Sequence, residues 1–477
     1  MKSWNDKLAL KWAQVSPAML PFADVATTEL PLGRLLRLSL FQVSVAMAVV
    51  LLNGTLNRVM IVELGVPSAV VGLMISLPLL FAPFRALIGF RSDNHRTALG
   101  WRRAPFIWFG SLLQFGGLAI MPFAIILLSG DSIGPAWVGV TGAALAFLLV
   151  GIGLHTTQTA GIALATDIAS ASNRPRVVAF LYVMLLIGTV VSSLAFGALL
   201  SAFSQLRLIQ VVQGAAVVTI VLNVIALWKQ EARGRLPALA DGEASDFFAA
   251  WHDYAEAPGA RRTLIAIGFG TAAFSMQDIL LEPYGGEVLG FTVGETTALT
   301  GMLAAGTLAG FAVAANQLTR GNDTYRIAAL GVLVGLIAFP TVLLAGATDS
   351  GLLFRIGTVL IGFGTGLFSV GSLTAAMAIA TRGGNGMALG AWGAVTATAA
   401  GLAIAFSGAI RDTVSALAHA GDLGAAFQSA AAGYNVVYLI ELMLLFATLV
   451  AIGPLVGRGR LERRHATTRF GIAEFPG

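Results

Sequence analysis

The chain has no cysteine among its 477 residues. That excludes disulfides, iron–sulfur clusters and thiol catalysis. Charge is almost as scarce. Asp, Glu, Lys and Arg make up 11% of the residues against 57% hydrophobic ones, and mean hydropathy is +0.82. Such a chain is no soluble globule; its solvent is lipid. There is no phosphate-cradling Gly-Lys-Ser/Thr loop, which excludes an ATP motor. Zinc-ligand spacing, a His-Glu-x-x-His helix and a nucleophile–base arrangement are also missing, so no enzyme is expected. No cleavable signal peptide is expected, because the first apolar run begins only at Leu35 and is too long for a signal core.

What the chain does have is apolar runs, about twelve of them, each near the ~20 residues that span a membrane as a helix. They cover 35–61, 67–90, 104–128, 137–166, 177–202 and 207–228, then 263–284, 297–318, 327–347, 352–380, 387–410 and 434–457. These runs predict an all-α membrane protein with twelve transmembrane helices. The longest polar interruption, Lys229 to Arg262, divides them into two six-helix halves. The expected organisation is an amphipathic N-terminal segment (1–34), a first bundle (35–228), a central linker (229–262), a second bundle (263–457) and a basic tail (458–477). The halves echo each other weakly. Glu63-Leu64-Gly65 resembles Glu287-Val288-Leu289-Gly290, and Val71-Gly72-Leu73-Met74 resembles Thr300-Gly301-Met302-Leu303. Two parallel six-helix repeats are the architecture of the major facilitator superfamily; chance similarity in Gly/Leu-rich sequence is the other reading of the echo.

Basic residues set the orientation. With both termini cytoplasmic, the far side keeps only Arg58, Arg207, Arg355 and Arg411, and Arg85 lies inside the second span. The other 24 of the 29 Lys and Arg fall on the cytoplasmic side. The net charge of +5 therefore reflects topology and contact with an anionic lipid bilayer, with no nucleic-acid partner implied. Two polar segments place aromatic residues at helical spacing: Trp4, Leu8 and Trp12, and Phe247, Trp251 and Tyr254. Both suit a membrane interface or a partner protein.

Three groups of polar residues are candidates for function. The loop after the second span carries Gly89, Asp93, Gly100, Arg102 and Arg103. Its composition is that of the facilitator loop, in which an Asp and basic residues clamp helix ends, but its Asp-to-Gly interval is longer. A merely basic loop is the alternative. The fourth span holds His155 and Gln158, with Gly151, Gly153 and Gly161 expected to leave room for a flat ligand. His155 is the only histidine deep in a span. It is either a donor to a tetrapyrrole or a structural imidazole satisfied by a neighbouring helix. Gln114, Asn223 and Asn316 complete a sparse polar interior. That suits a mostly apolar ligand with a few fixed polar contacts better than a polar solute. Near the outer ends of spans one and seven, Asn57, Arg58 and Glu63 are set against Asp278 and Glu282. The last two stand four apart, which puts them on one helix face. Arg58 and Asp278 are expected to hold the halves together as an outer gate. A proton-linked site, or charges reaching interfacial water, are the other readings.

Several stretches resemble the PucC/LhaA family, a bacteriochlorophyll-linked branch of the major facilitator superfamily in purple phototrophic bacteria. They are residues 35–44, Gly54 to Leu64, Phe81 to Asp93, Leu99 to Arg103, His155 to Gly161, and the long run from Phe274 through Gln277-Asp278 and Glu282-Pro283-Tyr284 to Gly290. The resemblance runs through both halves. It implies assembly of light-harvesting antenna in the bacterial inner (intracytoplasmic) membrane, by delivering or holding bacteriochlorophyll for nascent antenna polypeptides. Chlorophyll synthase and the membrane insertion machinery are the implied neighbours, and His155 is the candidate axial ligand to the pigment magnesium. Length and the N-terminal segment favour the LhaA branch, which serves the core antenna around the reaction centre. The PucC branch, serving the peripheral antenna, is the alternative. A proton-coupled solute or drug transporter and a pigment-free assembly scaffold are the competing classes.

Overall fold

The computed structural model describes residues 31–80, 101–129, 135–170, 173–230, 254–379, 384–424 and 428–457. Among them, eleven helices are long and apolar enough to cross a membrane, and a shorter apolar helix, Ser68–Leu79, stands where the second span is predicted. The rest of that span, with Arg85, lies outside the described residues, as do Trp4, Leu8, Trp12, Phe247 and Trp251. In chain order the first-half helices are α1 (Leu32–Glu63), α2 (Ser68–Leu80), α3 (Ala104–Leu128), α4 (Ala136–Ile168), α5 (Arg174–Leu199) and α6 (Gln205–Leu227). The second half contributes α7 (Ala260–Glu287), α8 (Val293–Thr319), α9 (Thr324–Ala347), α10 (Gly351–Ile379), α11 (Gly384–Ala420) and α12 (Ala432–Ile452).

Local sequence sets the helix ends. Thr292 and Glu295 form a reciprocal capping box at the start of α8. Asp323 caps α9 by accepting the Tyr325 N–H at 2.8 Å, and Ser204 caps α6 by accepting that of Arg207 at 3.1 Å. Pro105 and Pro175 sit in the first turns of α3 and α5, where a missing N–H costs nothing. The predicted boundaries fail most at α11, which runs ten residues past the expected Ile410 to Ala420. Arg411 and Asp412 end the apolar run there, but both side chains are paired within the fold, so the helix continues.

Helix pairing repeats with an offset of six. In the first half α1 packs on α5 and α6, and α3 on α4 and α6. In the second, α7 packs on α11 and α12, and α9 on α10 and α12. The contacts between halves, α2 with α11 and α8 with α5, exchange under the same offset. These are two copies of one six-helix bundle about an approximate two-fold axis. The faint sequence echo acquires a physical meaning. Gly65 and Gly290 follow the ends of α1 and α7 with φ of 64° and 65°, the left-handed conformation that glycine enters without a Cβ penalty. Outer faces expose large apolar side chains, Phe123, Ile337 and Val450 among them, as a lipid-solvated surface requires. Tyr254 departs from its expected place at the membrane interface. It is buried against Ala388 and Ala391, and its hydroxyl donates to the Ala376 carbonyl at 3.1 Å.

Candidate functional site

The first and last described helices begin and end at the same end of the bundle. There Arg34 Nε donates to Gln230 Oε1 at 3.0 Å and the Gly457 N–H donates to Asp323 at 2.8 Å. Toward the opposite, far end the halves are joined. Asn57 Nδ2 donates to the Ile279 carbonyl at 3.0 Å, Arg58 Nη2 to that of Phe291 at 3.2 Å, and the Ala69 N–H to Asp412 Oδ2 at 2.8 Å. The Thr55 and Thr297 hydroxyls pair at 3.1 Å. Glycines allow this close approach: Gly197 of α5 lies against Gly294 of α8, and Gly408 of α11 against the Ser68 backbone of α2.

The expected Arg58–Asp278 pair does not form. Arg58 instead pairs with Glu63 of its own helix and reaches across to Phe291. The reason is a break in α7, where Met276–Ile279 tightens into a 3₁₀ turn. This interrupts the α-helical period, so Asp278 and Glu282 do not share a face. Glu282 is buried, accepts from the Thr300 hydroxyl, and lies against Gly54 in a π-helical stretch of α1, Val50–Leu56. Asp278 turns instead into a cavity within the second half.

That cavity, of about 190 Å³, lies between α7, α8, α10 and α11. Beside Gln277 and Asp278 its wall carries the hydroxyls of Thr307, Thr365, Ser372 and Thr396. The interior is therefore not sparse in polar groups, as expected from sequence, because that expectation passed over Ser and Thr. A visible signal existed: Thr365, Ser369 and Ser372 recur at helical spacing along α10. Glu441 was also passed over, although it is the one charged residue between Tyr434 and Val456. It is wholly buried on α12, which packs against the 3₁₀ turn. Beyond it stand the buried rings of Tyr438, Tyr284 and Tyr434, with Tyr284 5.6 Å and 5.4 Å from the other two between centroids. This aromatic plug ends on Glu287, which accepts from Tyr434 Oη at 2.8 Å and pairs with Arg411.

In the first half, two of the predicted ligand residues hold helices together instead. Gln114 Nε2 donates to Thr157 Oγ1 at 2.9 Å, joining α3 to α4. Asn223 Nδ2 donates to Ser111 Oγ at 2.8 Å and accepts from Ser44 Oγ at 2.8 Å, joining α6 to α3 and α1. Gln158 Nε2 reaches Gln42 Oε1 of α1 at 3.4 Å. Asn316 is exposed near the opposite end of α8 from Thr292, so these residues do not converge on one pocket. The glycines expected to make room for a flat ligand are filled by protein. Gly151 faces Pro78, Gly153 faces the backbone of Gly110 and Gln114, and Gly161 faces the Phe41 ring. His155 itself is half-buried, on a stripe of α4 shared with the exposed Leu145 and Ile152. The second-half cavity is smaller than the roughly 300–1,000 Å³ of drug-sized ligand sites, so it cannot enclose a pigment macrocycle.

Of the loop residues, Gly89, Asp93 and Gly100 lie outside the described residues, and Arg102 is half-buried ahead of α3. Arg103 is buried and pairs with Asp167 at 3.0 Å, tying the start of α3 to the end of α4.

Comparison with known proteins places this geometry. The model of the PUCC protein family matches residues 55–460. A Rhodobacter capsulatus protein described as an uncharacterized protein in the puhA-bchM intergenic region is 54% identical over 474 residues, covering 98% of each chain. Protein PucC of Rhodovulum sulfidophilum is 56% identical over 408 residues, 84% of this chain and 90% of that one. Among solved structures, an inward-facing, unoccupied bacterial homologue of the human lysosomal transporter Spinster is similar with a TM-score of 0.67. It is 16% identical, over 91% of this chain and 98% of the other, which bears on the fold alone. The fold is that of the major facilitator superfamily, and the chain belongs to the PucC family.

Proposed function

We propose that the chain is a non-enzymatic assembly factor for light-harvesting antenna, and that it delivers or holds bacteriochlorophyll for nascent antenna polypeptides in the bacterial inner membrane. Membership of the PucC family, along nearly the whole membrane domain, carries this reading. The half-exposed position of His155 beside Leu145 and Ile152 on α4 is compatible with it, since a neutral imidazole suits the axial position of a chlorin magnesium. The pigment here is cargo, met at a helix face rather than enclosed. Chlorophyll synthase and the membrane insertion machinery are the proposed neighbours, and the core antenna around the reaction centre is the proposed client.

The test is a deletion strain together with pigment measured on gently purified protein. The expected result is a weakened core-antenna absorption band with free pigment supply unchanged, and bacteriochlorophyll co-purifying with the protein. His155→Ala should lower the pigment retained per protein. Loss of the peripheral band alone would move the client to the peripheral antenna. Tight antenna binding without pigment would replace delivery by scaffolding. Intact antenna in the deletion strain would refute the assembly role.

A further inference from the structure

The cavity beside Asp278 has a chemical bias that pigment handling does not explain. Four of the seven Ser and Thr hydroxyls on its wall have committed their protons to backbone carbonyls. Thr307, Thr365 and Thr396 donate to the carbonyls of Leu303, Ile361 and Trp392 at 2.9, 2.8 and 2.9 Å, and Ser372 donates to that of Ser369 at 3.1 Å. Each of these four hydroxyls therefore presents oxygen lone pairs to the cavity, while Thr271, Ser275 and Ser369 can turn either a proton or a lone pair toward it. Gln277 adds another acceptor. It is 1% exposed, its Nε2 donates to Asp278 at 2.5 Å, and no protein group donates to its Oε1. Trp392 Nε1 on this wall donates to Ser372 Oγ at 3.2 Å. A carboxylate flanked by four such hydroxyls and the unpartnered Gln277 Oε1 favours a positive charge.

Glu441 stands behind that wall. It is 0% exposed, and neither carboxyl oxygen has a donor, for the Gln277 backbone N–H that approaches it is outside hydrogen-bond geometry. The titratable groups facing it are Asp278 from α7 and Tyr438 from α12. Two carboxylates cannot both stay charged in so dry a place without a counter-ion. Asp278, which faces Glu441 from α12 and Glu282 from its own helix, is the one of these acids that lines the cavity, so a counter-ion would meet it there.

We propose that this cavity binds a small monovalent cation at Asp278, with Na⁺ and H⁺ as two sources of the same charge. Its volume leaves room for a few waters beside the ion, at roughly 30 Å³ each. One carboxylate on the cavity wall balances one positive charge, so a monovalent ion is the better match. The proposal stands whether or not the chain carries pigment.

The test is the thermal midpoint of the full chain in detergent at constant ionic strength, since a ligand that binds only the folded state raises it. Sodium is exchanged against choline at fixed pH, and pH is then varied without sodium. If Na⁺ is the ion, the midpoint rises with sodium in the wild type and in the control Asp422→Asn, and Asp278→Asn removes the rise. If H⁺ is the ion, the rise appears on going from mildly alkaline to mildly acidic conditions, and the same variant removes it. Thr365→Val keeps the test sharp should Asp278→Asn fail to fold: loss of one liganding oxygen should weaken the apparent affinity by about tenfold. A midpoint insensitive to both ions, or a response retained in both Asp278→Asn and Thr365→Val, would overturn the proposal.

Discussion

Gly294→Ala is a small change with a large expected consequence. Gly294 is the second residue of α8, where that helix crosses α5 of the other half. A Cβ there would lie 2.6 Å from the Gly197 carbonyl oxygen and 3.1 Å from Ser201 Cα. Both are backbone atoms, so no rotamer change relieves the clash. To reach ordinary contact at 3.4 Å the helices must part by about 0.8 Å. Overpacking of this kind costs about 1–3 kcal/mol, and the helical preference of Ala over Gly does not offset it, because α8 is helical whether the far end is open or closed. The clash is felt where the halves meet at the far end, so the closed arrangement should lose weight by about 5- to 150-fold against any arrangement in which that end is open. The absence of cysteine makes the measurement clean. Spin labels on Gln205→Cys and Thr348→Cys, one exposed far-end site in each half, should report a longer or broader distance distribution in Gly294→Ala. Gly390→Ala is the matched control, because a Cβ there meets nothing within 4 Å. If Gly294→Ala left both the distance distribution and the thermal midpoint unchanged, the packing argument would be refuted.

Three further outcomes follow from the far-end contacts and the charge distribution. Removing either partner of the Arg411–Glu287 pair should cost about 3 kcal/mol, and Arg411→Gln with Glu287→Gln together should cost less than the sum of the singles in a double-mutant cycle of thermal stability. Arg58→Gln and Glu63→Gln should be non-additive by the same measure, whereas Arg58→Gln and Asp278→Asn should simply add; coupling in the second pair alone would restore the gate that the structure lacks. Reporter fusions after Leu128, Ala202 and Asp349 should read periplasmic and those after Lys229 and Gly477 cytoplasmic, and two opposite readings would reject the orientation drawn from the basic residues.

The fold was legible because lipid imposes one rule on every span, and a long apolar run has few other solutions. The helices missed their expected ends mainly where a paired charge extended them, as at Arg411 and Asp412. Side-chain placement was less legible. The i, i+4 argument for Asp278 and Glu282 assumed an unbroken α-helix, and nothing in Ser275-Met276-Gln277-Asp278 announces a 3₁₀ turn. The glycines of α4 looked like room for a ligand, but a missing side chain serves a neighbouring helix equally well. Pro78, Gly110 and Phe41 come from other parts of the chain, so only the fold decides.

The same limit explains why the cation cavity went unseen while Glu441 need not have. A hydroxyl in a membrane helix can satisfy itself on its own backbone, as Thr365 does, so Ser and Thr carry no visible penalty in sequence and no hint of what they face. A carboxyl has no such escape. The α-helix offers its interior side chains no free N–H, so an acid at the centre of an apolar run must meet a partner from another helix, a water-filled space or a proton. Glu63 and Glu287 stand at helix ends and pair with Arg58 and Arg411. Glu441 stands within α12, wholly buried, with only apolar residues and Thr448 after it along the helix. Position within the run, more than residue type, separates an acid that anchors a helix end from one that implies a bound charge or proton. Applied to this chain, that criterion selects Asp278, Glu282 and Glu441. Glu282 accepts from Thr300 and Asp278 from Gln277, while Glu441 has no donor at either oxygen, so Glu441 is the acid that helix packing accounts for least and Asp278 the one that lines the cavity.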